Sequence, residues 1–287
     1  MAQIRRAQPK TLYLVQDGAR PDVPGEQALV EVTRNVAENV DWDCTVIRDY
    51  SDSNLGLRER VTSGLDRVFS DVDRAIILED DCVANDSFFA FCNEMLDRYA
   101  EDERVGTVSG NNFLRGKFVT PASYFFSPDV RIWGWATWRR VWQDFSREGL
   151  HYQWSRDEAS QALDGFPSAS RRKALVAMAA SAHSIDSWAL PFVLHCQKRN
   201  YVSIVPEVNL VKNIGFGSSS THTRFESFTD EIPTRALEFP LRHPDTVERN
   251  DEAGKLENRL HRKMWLTFPL THPISFMGRI FRFLLSR

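Results

Sequence analysis

Three adjacent carboxylates follow a short apolar run and could bind a cation. The run, residues 74–77, is rich in isoleucine, which is typical of a strand buried in a mainly parallel sheet. Glu79, Asp80 and Asp81 fall where that strand leaves the sheet, and ligands of open α/β sheets bind outside the carboxyl ends of strands. Carboxylate oxygens suit Mg²⁺ or Mn²⁺, which complete their shells with water and substrate phosphates. The competing interpretation is a solvated acidic loop that caps a helix beginning near Asp86.

The composition is that of an ordinary globular chain. Its 287 residues, 42% hydrophobic and 26% charged, suffice for one large domain or two small ones. The net charge of −3 gives no general attraction to nucleic acid, so we expect no nucleic-acid partner. The first ten residues lack an apolar segment and no 18-residue apolar run occurs, which leads us to expect a cytoplasmic protein. The four scattered cysteines are expected to be reduced thiols.

Strand-like and helix-like segments alternate along the chain, which predicts an α/β fold with a parallel core and right-handed crossovers. The predicted strands are 10–16, 44–47, 74–77, 106–110, 123–127 and 202–208, and the clearest predicted helix is 86–99.

Tryptophans cluster after position 131. Trp135, Trp138 and Trp142 have the spacing of one helix face, which indicates core residues of a helix. Trp133 precedes Gly134, whose small size would allow close backbone approach, so Trp133 is the candidate for holding a sugar ring.

Two further stretches could take part in chemistry. Asp186 is a candidate general base, and its alternative role is the N-cap of the helix that starts after Trp188. The loop 211–218 is rich in glycine and serine and leads to His222, an arrangement that could cover phosphates. The end of the chain, 265–287, is basic and amphipathic, so it could contact a membrane surface peripherally or dock on its own domain or a partner.

Several motifs, in this order, resemble bacterial nucleotide-sugar-dependent glycosyltransferases of GT-A fold, including a group described as haemolytic-protein-like sugar transferases. They are more distantly similar to N-acetylglucosaminyltransferases with a Glu-Asp-Asp motif. The resemblance covers about residues 5–223. The motifs are Asp17-Gly18-Ala19-Arg20, Asn54-Leu55-Gly56, Ile77-Leu78-Glu79-Asp80-Asp81-Cys82, Ser109-Gly110-Asn111-Asn112-Phe113, Ile132-Trp133-Gly134-Trp135-Ala136-Thr137-Trp138, Asn213-Ile214-Gly215-Phe216-Gly217 and Thr221-His222-Thr223.

The resemblance implies roles for the donor side of the site. Asp81 would bind the Mn²⁺ or Mg²⁺ that bridges the donor's two phosphates, and His222 would reach the metal or the diphosphate. Glu79 and Asp80 would serve the ribose or a water beside the cation.

The remaining implied roles concern the nucleotide and the acceptor. The turn at Asp17 and Gly18, with Arg20, would hold the base and diphosphate side of the nucleotide. The loop at Asn54 and Gly56 would let the backbone approach it. Asp186 would be the general base of an inverting enzyme.

The resemblance also implies a Rossmann-like mixed sheet flanked by helices, spanning residues 1–225, followed by a charged segment and basic tail, 226–287. Members of the group begin with a strand and helix before the region corresponding to residues 4–7, so we expect the first strand of the fold to be missing here.

These observations predict a metal-dependent hexosyl- or N-acetylhexosaminyltransferase that uses a nucleotide-diphosphate sugar and a glycan or lipid-linked hydroxyl acceptor. One alternative is a sugar-phosphate nucleotidyltransferase, although its glycine-rich loop with a downstream lysine is not evident. The other is a catalytically impaired glycan- or nucleotide-sugar-binding protein, favoured by the expected missing strand and the tryptophans.

Overall fold

The structure, a computed structural model, is a mixed α/β fold with helices around a mixed sheet. It describes residues 1–164, 166, 168–180, 182, 185–215 and 232–271. The strands are β1 (Thr11–Gln16), β2 (Thr45–Tyr50), β3 (Arg74–Ile77), β4 (Cys82–Ala84), β5 (Val105–Ser109), β6 (Tyr124–Ser127), β7 (Trp135–Trp138), β8 (Val202–Pro206) and β9 (Val211–Asn213). The helices are α1 (Ala2–Ala7), α2 (Glu26–Ala37), α3 (Leu57–Asp71), α4 (Asp86–Arg98), α5 (Arg139–Asp144), α6 (Arg156–Ala162), α7 (Ala169–Ala179), α8 (Ala189–Lys198) and α9 (Asp251–Thr271), and a π-helical turn (Phe145–Gly149) follows α5.

The strands form three sheets. The largest has the order β3-β7-β5-β8-β6, and the two smaller ones are β1-β2 and β4-β9. Strands β1 and β2 are parallel, so their carboxyl ends lie at the same edge. Strand β7 runs antiparallel to both β3 and β5, and Trp135 is the partner of both Ile77 and Ser109. The loops after β3 and β5 and the loop before β7 therefore leave the large sheet at one edge.

The predicted parallel core was wrong. In the large sheet only β5 and β8 are parallel, and β3, β6 and β7 all pair antiparallel with their neighbours. The reason is burial on both faces of the sheet, because a strand covered on both sides is a continuous apolar run whatever its direction. Every residue of β5, β6 and β7 is buried, whereas β3, which was expected to be buried, is only partly so.

The tryptophan prediction was right about burial and wrong about the helix. Trp135, Trp138 and Trp142 are 0%, 4% and 0% exposed, as expected of core residues. However, the first two belong to strand β7, and helix α5 begins only at Arg139. Since β7 is covered on both faces and leads directly into α5, a helical spacing of buried indoles arises across two different elements.

Helix α2 is present where its apolar spacing predicts, but the apolar side chains face solvent. Leu29, Val32 and Val36 are 66%, 59% and 59% exposed. The helix contacts the β1-β2 sheet instead through Arg34, whose guanidinium donates to Gln16 Oε1 at 3.0 Å and to the Ser51 carbonyl at 2.9 Å.

Residues 232–260 pack against the large sheet. Arg249 forms a bridge to Phe126 of β6, and Glu257 of α9 is buried against Arg131. The proposed boundary at residue 225 lies outside the described residues, as do His222 and most of the segment 265–287. None of the helices in the described part of the chain is both long and apolar enough to cross a membrane.

Candidate functional site

The three carboxylates occupy a tight turn between β3 and β4. The Cys82 amide donates to the Glu79 carbonyl at 3.0 Å, which closes the turn. The turn does not cap helix α4, because the cap is Asn85, whose Oδ1 accepts from the Ser87 amide at 3.1 Å. The alternative interpretation of the acidic loop as a helix cap was therefore wrong.

The carboxylates are close enough to affect one another's ionisation. Burial, together with the negative charges of Asp81 and Asp80, raises the pKa of Glu79 to about 7. Burial, followed by the negative charge of Asp81, also raises the pKa of the Cys82 thiol, whose Sγ lies 3.5 Å from Asp81 Oδ1. This edge of the sheet thus carries negative charge that is partly removed from water.

The backbone at Gly215 closes over Asp81. Strand β9 pairs with β4, and the Ile214 amide donates to the Asp81 carbonyl at 2.8 Å. A Cβ atom at position 215 would lie 2.2 Å from Asp81 Oδ2, so only glycine fits beside this carboxylate. The Gly215 amide is itself held by Asn213 Oδ1 at 2.8 Å. The part of the glycine-serine loop that the structure describes is therefore a positioned backbone segment.

The donor set fits a hard divalent cation that is shared with a ligand. Carboxylate oxygens are the ligands that Mg²⁺ and Mn²⁺ prefer, and Mg²⁺ commonly takes only one or two of them from the protein. Across the described ranges, no three or more His, Cys, Asp or Glu side chains converge on one point as a complete protein cage. Asp81, which packs against the Gly215 backbone, is the carboxylate that the sequence resemblance implies for such an ion.

Asp17 joins the loops that follow β1 and β2. Its Oδ1 accepts from the amides of Gly18 and Leu55, each at 2.9 Å. Its Oδ2 accepts from the Gly56 amide and the Asn54 side chain, each at 3.0 Å. Four of the residues implicated by sequence are thus brought together, with the Asp17 carboxylate at the centre.

Close backbone packing supports the same junction. A Cβ atom at Gly18 would lie 2.5 Å from the Ser53 carbonyl carbon, so the two loops touch through their main chains. Gly56 has φ +84°, a left-handed conformation that favours glycine, and it immediately precedes helix α3.

Asp186 caps helix α3. Its Oδ1 accepts from the Arg58 amide at 2.9 Å and its Oδ2 from the Leu57 amide at 3.1 Å. A carboxylate at a helix N-terminus is stabilised by the free amides and by the helix dipole. The alternative role of Asp186 as N-cap of the following helix was wrong, because the Ala189 amide of α8 is bonded to the Ser187 hydroxyl at 3.3 Å.

Arg20 is turned toward helix α2. Its Nε donates to Glu26 Oε1 at 3.0 Å, and its amide donates to Glu26 Oε2 at 2.6 Å. The hydrogen bond to Glu26 and the charge of that carboxylate raise the pKa of the exposed Arg20 guanidinium, and the hydrogen bonds from Arg20 lower the pKa of the Glu26 carboxyl. The side chain is thereby paired within the protein.

Trp133 and Phe113 lie at the edge where β3 ends. Their ring centroids are 5.7 Å apart, with an edge-to-face angle of 69°, and both residues are partly exposed. The β3-β7 register pairs Ile77 with Trp135, so Trp133, two residues earlier, lies on the loop that enters β7 at the edge where β3 ends. Trp133 and the acidic turn therefore belong to loops that leave the large sheet at the same edge.

The sequence reasoning missed two contributions. Phe113 was part of a motif without a role of its own, and its place after a strand end was the available signal. The sequence shows Gly215 only as a glycine in a polar loop, because its contact with Asp81 depends on the pairing of β4 with β9, which local patterns do not reveal.

In comparisons with known proteins, the chain matches no protein-family model and no curated protein sequence. Any assignment of function therefore depends on the residues and their geometry.

Proposed function

We propose that this chain is a metal-dependent glycosyltransferase of GT-A fold. It would transfer a sugar, with inversion, from a nucleotide-diphosphate donor to a hydroxyl of a glycan or lipid-linked acceptor. The observation that carries the proposal is the crowded acidic turn after β3, in which Glu79 has a raised pKa and the backbone at Gly215 closes on Asp81.

The acidic turn provides the diphosphate end of the site. A bound Mn²⁺ or Mg²⁺ would neutralise the charge that develops on the leaving nucleoside diphosphate. Asp81 would hold this ion, and the half-buried Glu79 and exposed Asp80 would bind the ribose or water around it. His222, which lies outside the described residues, is proposed as a further ligand of the metal or the diphosphate.

The loops at Asp17 and Asn54 provide the nucleotide end. Their four hydrogen bonds to the Asp17 carboxylate hold the backbone at Gly18 and Gly56 in place. Such glycines let a ligand approach the main chain closely. Arg20, now paired with Glu26, would turn to the diphosphate only by exchanging that partner.

Asp186 is proposed as the general base for the acceptor hydroxyl. A carboxylate has about four acceptor positions, and the amides of Leu57 and Arg58 occupy two of them. These bonds would hold the carboxylate in one orientation while an oxygen lone pair remains for the proton. General-base catalysis of this kind contributes about 10²–10⁴-fold to the rate.

The test of the proposal is metal-assisted nucleotide binding followed by donor turnover. Isothermal titration calorimetry with UDP, GDP and dTDP, each with and without Mn²⁺, should show uptake of one nucleotide that requires the metal. Asp81→Asn should abolish this uptake, whereas Asp245→Asn, a change at an exposed carboxylate, should retain it.

Turnover distinguishes the transferase from the two alternatives. A transferase hydrolyses the matching nucleotide sugar slowly to free sugar and nucleoside diphosphate, and Asp186→Asn should lower kcat while nucleotide affinity is kept. Release of pyrophosphate would instead indicate a nucleotidyltransferase, and sugar binding without turnover would indicate a binding protein. Absence of metal-assisted nucleotide uptake by the native chain would refute the proposal.

A further inference from the structure

The aromatic pair Phe113 and Trp133 differs from the other aromatic side chains near this edge. Trp135, Trp142 and Trp188 are at most 2% exposed and pack together in the core. Phe113 and Trp133 are only partly buried, although they are in edge-to-face contact. An aromatic pair that keeps part of its surface open at a strand-end edge is available to a ligand.

A buried charged residue lies against this pair. The Arg131 guanidinium carbon is 5.5 Å from the centroid of the Phe113 ring, which is a cation–π distance. Arg131 is only 5% exposed and forms an ion pair with Glu257 of helix α9, which is 2% exposed. The position of Phe113 is thus linked to a helix that follows the acidic turn by more than 160 residues.

The ion pair is part of a larger network of charged side chains. Glu257 Oε1 also lies 3.6 Å from Arg171 of α7, and Arg171 pairs with Asp129 at 2.9 Å. Arg131, Glu257 and Asp129 are buried, whereas the Arg171 side chain is 33% exposed. Charged groups removed from water are retained at low cost only when paired in this way. The network fixes Arg131 against Phe113 independently of the acidic turn.

The side chain of Asn111, just after β5, has a buried acceptor without a partner in the described part of the chain. Asn111 is 1% exposed and donates from Nδ2 to the Val211 carbonyl at 3.1 Å. Its Oδ1 has no hydrogen-bond partner among the residues that the structure describes. A buried acceptor without a partner costs free energy, which a ligand hydroxyl or water could recover. Asn111 stands two residues before Phe113.

We infer that Phe113 and Trp133 form a stacking platform for a pyranose ring, and that the Arg131–Glu257 pair positions it. One face of a pyranose ring presents C–H groups, which the electron-rich faces of aromatic rings attract, while its hydroxyls need acceptors such as Asn111 Oδ1. The identity of the ring as part of the acceptor or the donor rests on the proposed transferase function. Binding of the ring itself does not.

Saturation-transfer NMR on the full chain tests the platform. The probes are the methyl glycosides of glucose, galactose and N-acetylglucosamine without metal, and UDP-N-acetylglucosamine with Mg²⁺. Phe113→Leu and Trp133→Leu keep apolar volume but remove the flat faces, and each should weaken ring binding about tenfold. The matched control is Phe239→Leu, because Phe239 is 46% exposed and its loss should leave binding unchanged.

The two sources of the ring give different patterns. If the platform holds the acceptor ring, the Leu variants lose the saturation-transfer signals of the methyl glycosides and keep the native signals of UDP-N-acetylglucosamine. If it holds the donor ring, they lose the hexose signals of UDP-N-acetylglucosamine and keep the uridine signals. Native-like ring signals in both Leu variants, or no ring signal from the native chain with any probe, would overturn the inference. Asp81→Asn should keep methyl-glycoside binding, so a failed metal site and a failed platform are distinguishable.

The positioning role is tested by removing the ion pair as a unit. The double variant Arg131→Met and Glu257→Met removes one positive and one negative charge together and leaves Arg171 paired with Asp129. It should weaken ring binding about tenfold while metal-assisted nucleotide binding stays native, and Phe113→Leu should add little further loss in this background. Native ring affinity in a folded double variant would show that Arg131 does not position the platform.

Discussion

The raised pKa of Glu79 predicts that the stability of the metal-free protein falls as the pH rises. Burial and the neighbouring Asp81 and Asp80 raise this pKa from 4.5 to about 7 in the folded chain. Between these two values the folded state holds a proton that the unfolded state has released. The free energy of unfolding therefore decreases as the pH increases through this interval, and it levels off above about pH 7.

The magnitude follows from the shift. A difference of one pKa unit corresponds to about 1.4 kcal/mol, so the full effect of Glu79 is about 3 kcal/mol. Part of this is already lost at about pH 5, because the unfolded carboxyl has begun to ionise there. The expected decrease from about pH 5 to about pH 8 is then about 2.5 kcal/mol.

Urea denaturation of the native chain and of Glu79→Gln, both in chelator, measures this contribution. The variant keeps the shape of the side chain but cannot ionise, so its stability relative to the native chain should increase by about 2.5 kcal/mol over that pH range. Glu31→Gln, at an exposed position of helix α2, serves as the control and should show no such trend. A stability difference between Glu79→Gln and the native chain that does not change with pH would refute the crowding of charge at this turn.

Three further substitutions have expected outcomes. Asp17→Ala removes the acceptor of four hydrogen bonds and should lower the free energy of unfolding by about 2 kcal/mol, measured by urea denaturation. Glu257→Gln leaves Arg131 buried without its counter-ion and should cost about 3–5 kcal/mol in the same assay. Gly215→Ala places a methyl group 2.2 Å from Asp81 Oδ2 and should weaken metal-assisted nucleotide binding about 10–100-fold by calorimetry.

Each of these substitutions has a neighbour that serves as its control. Asp22→Ala, Glu252→Gln and Ile214→Ala change exposed or partly exposed side chains close in sequence and should have small effects. If Asp22→Ala destabilised the chain as much as Asp17→Ala, the four-bond junction would not be the cause. An equal loss of unfolding free energy in Glu257→Gln and Glu252→Gln would contradict the role of the buried ion pair. Native nucleotide binding in Gly215→Ala would contradict the role of the contact between Gly215 and Asp81.

The positions of most strands and helices could be predicted from sequence, whereas strand direction could not. Helix α4 was predicted over residues 86–99 and is observed over Asp86–Arg98. Strand β3 was also located correctly, but its partner is β7, about 60 residues later and antiparallel. The spacing of apolar residues indicates whether a segment is a helix or a strand and whether it is buried. It does not indicate which distant strand pairs with that segment.

For the candidate site, too, the sequence indicated the residues, whereas their partners in space depended on the fold. Asp17 and Asn54 follow two strands of one parallel pair, so their proximity follows from topology once that pairing is known. Asp186 was recognised as a possible cap, yet it caps helix α3, whose first residues precede it by about 130 positions. A capping residue looks the same in sequence whether the helix it serves is local or remote.

The Asp17 junction also bears on how a ligand would meet this surface. The Asp17 side chain connects the turns after β1 and β2 by hydrogen bonds, so these turns are ordered before any ligand binds. A ligand that binds there would not lose affinity to the entropic cost of ordering two flexible loops, so its contacts would contribute more fully to the binding free energy.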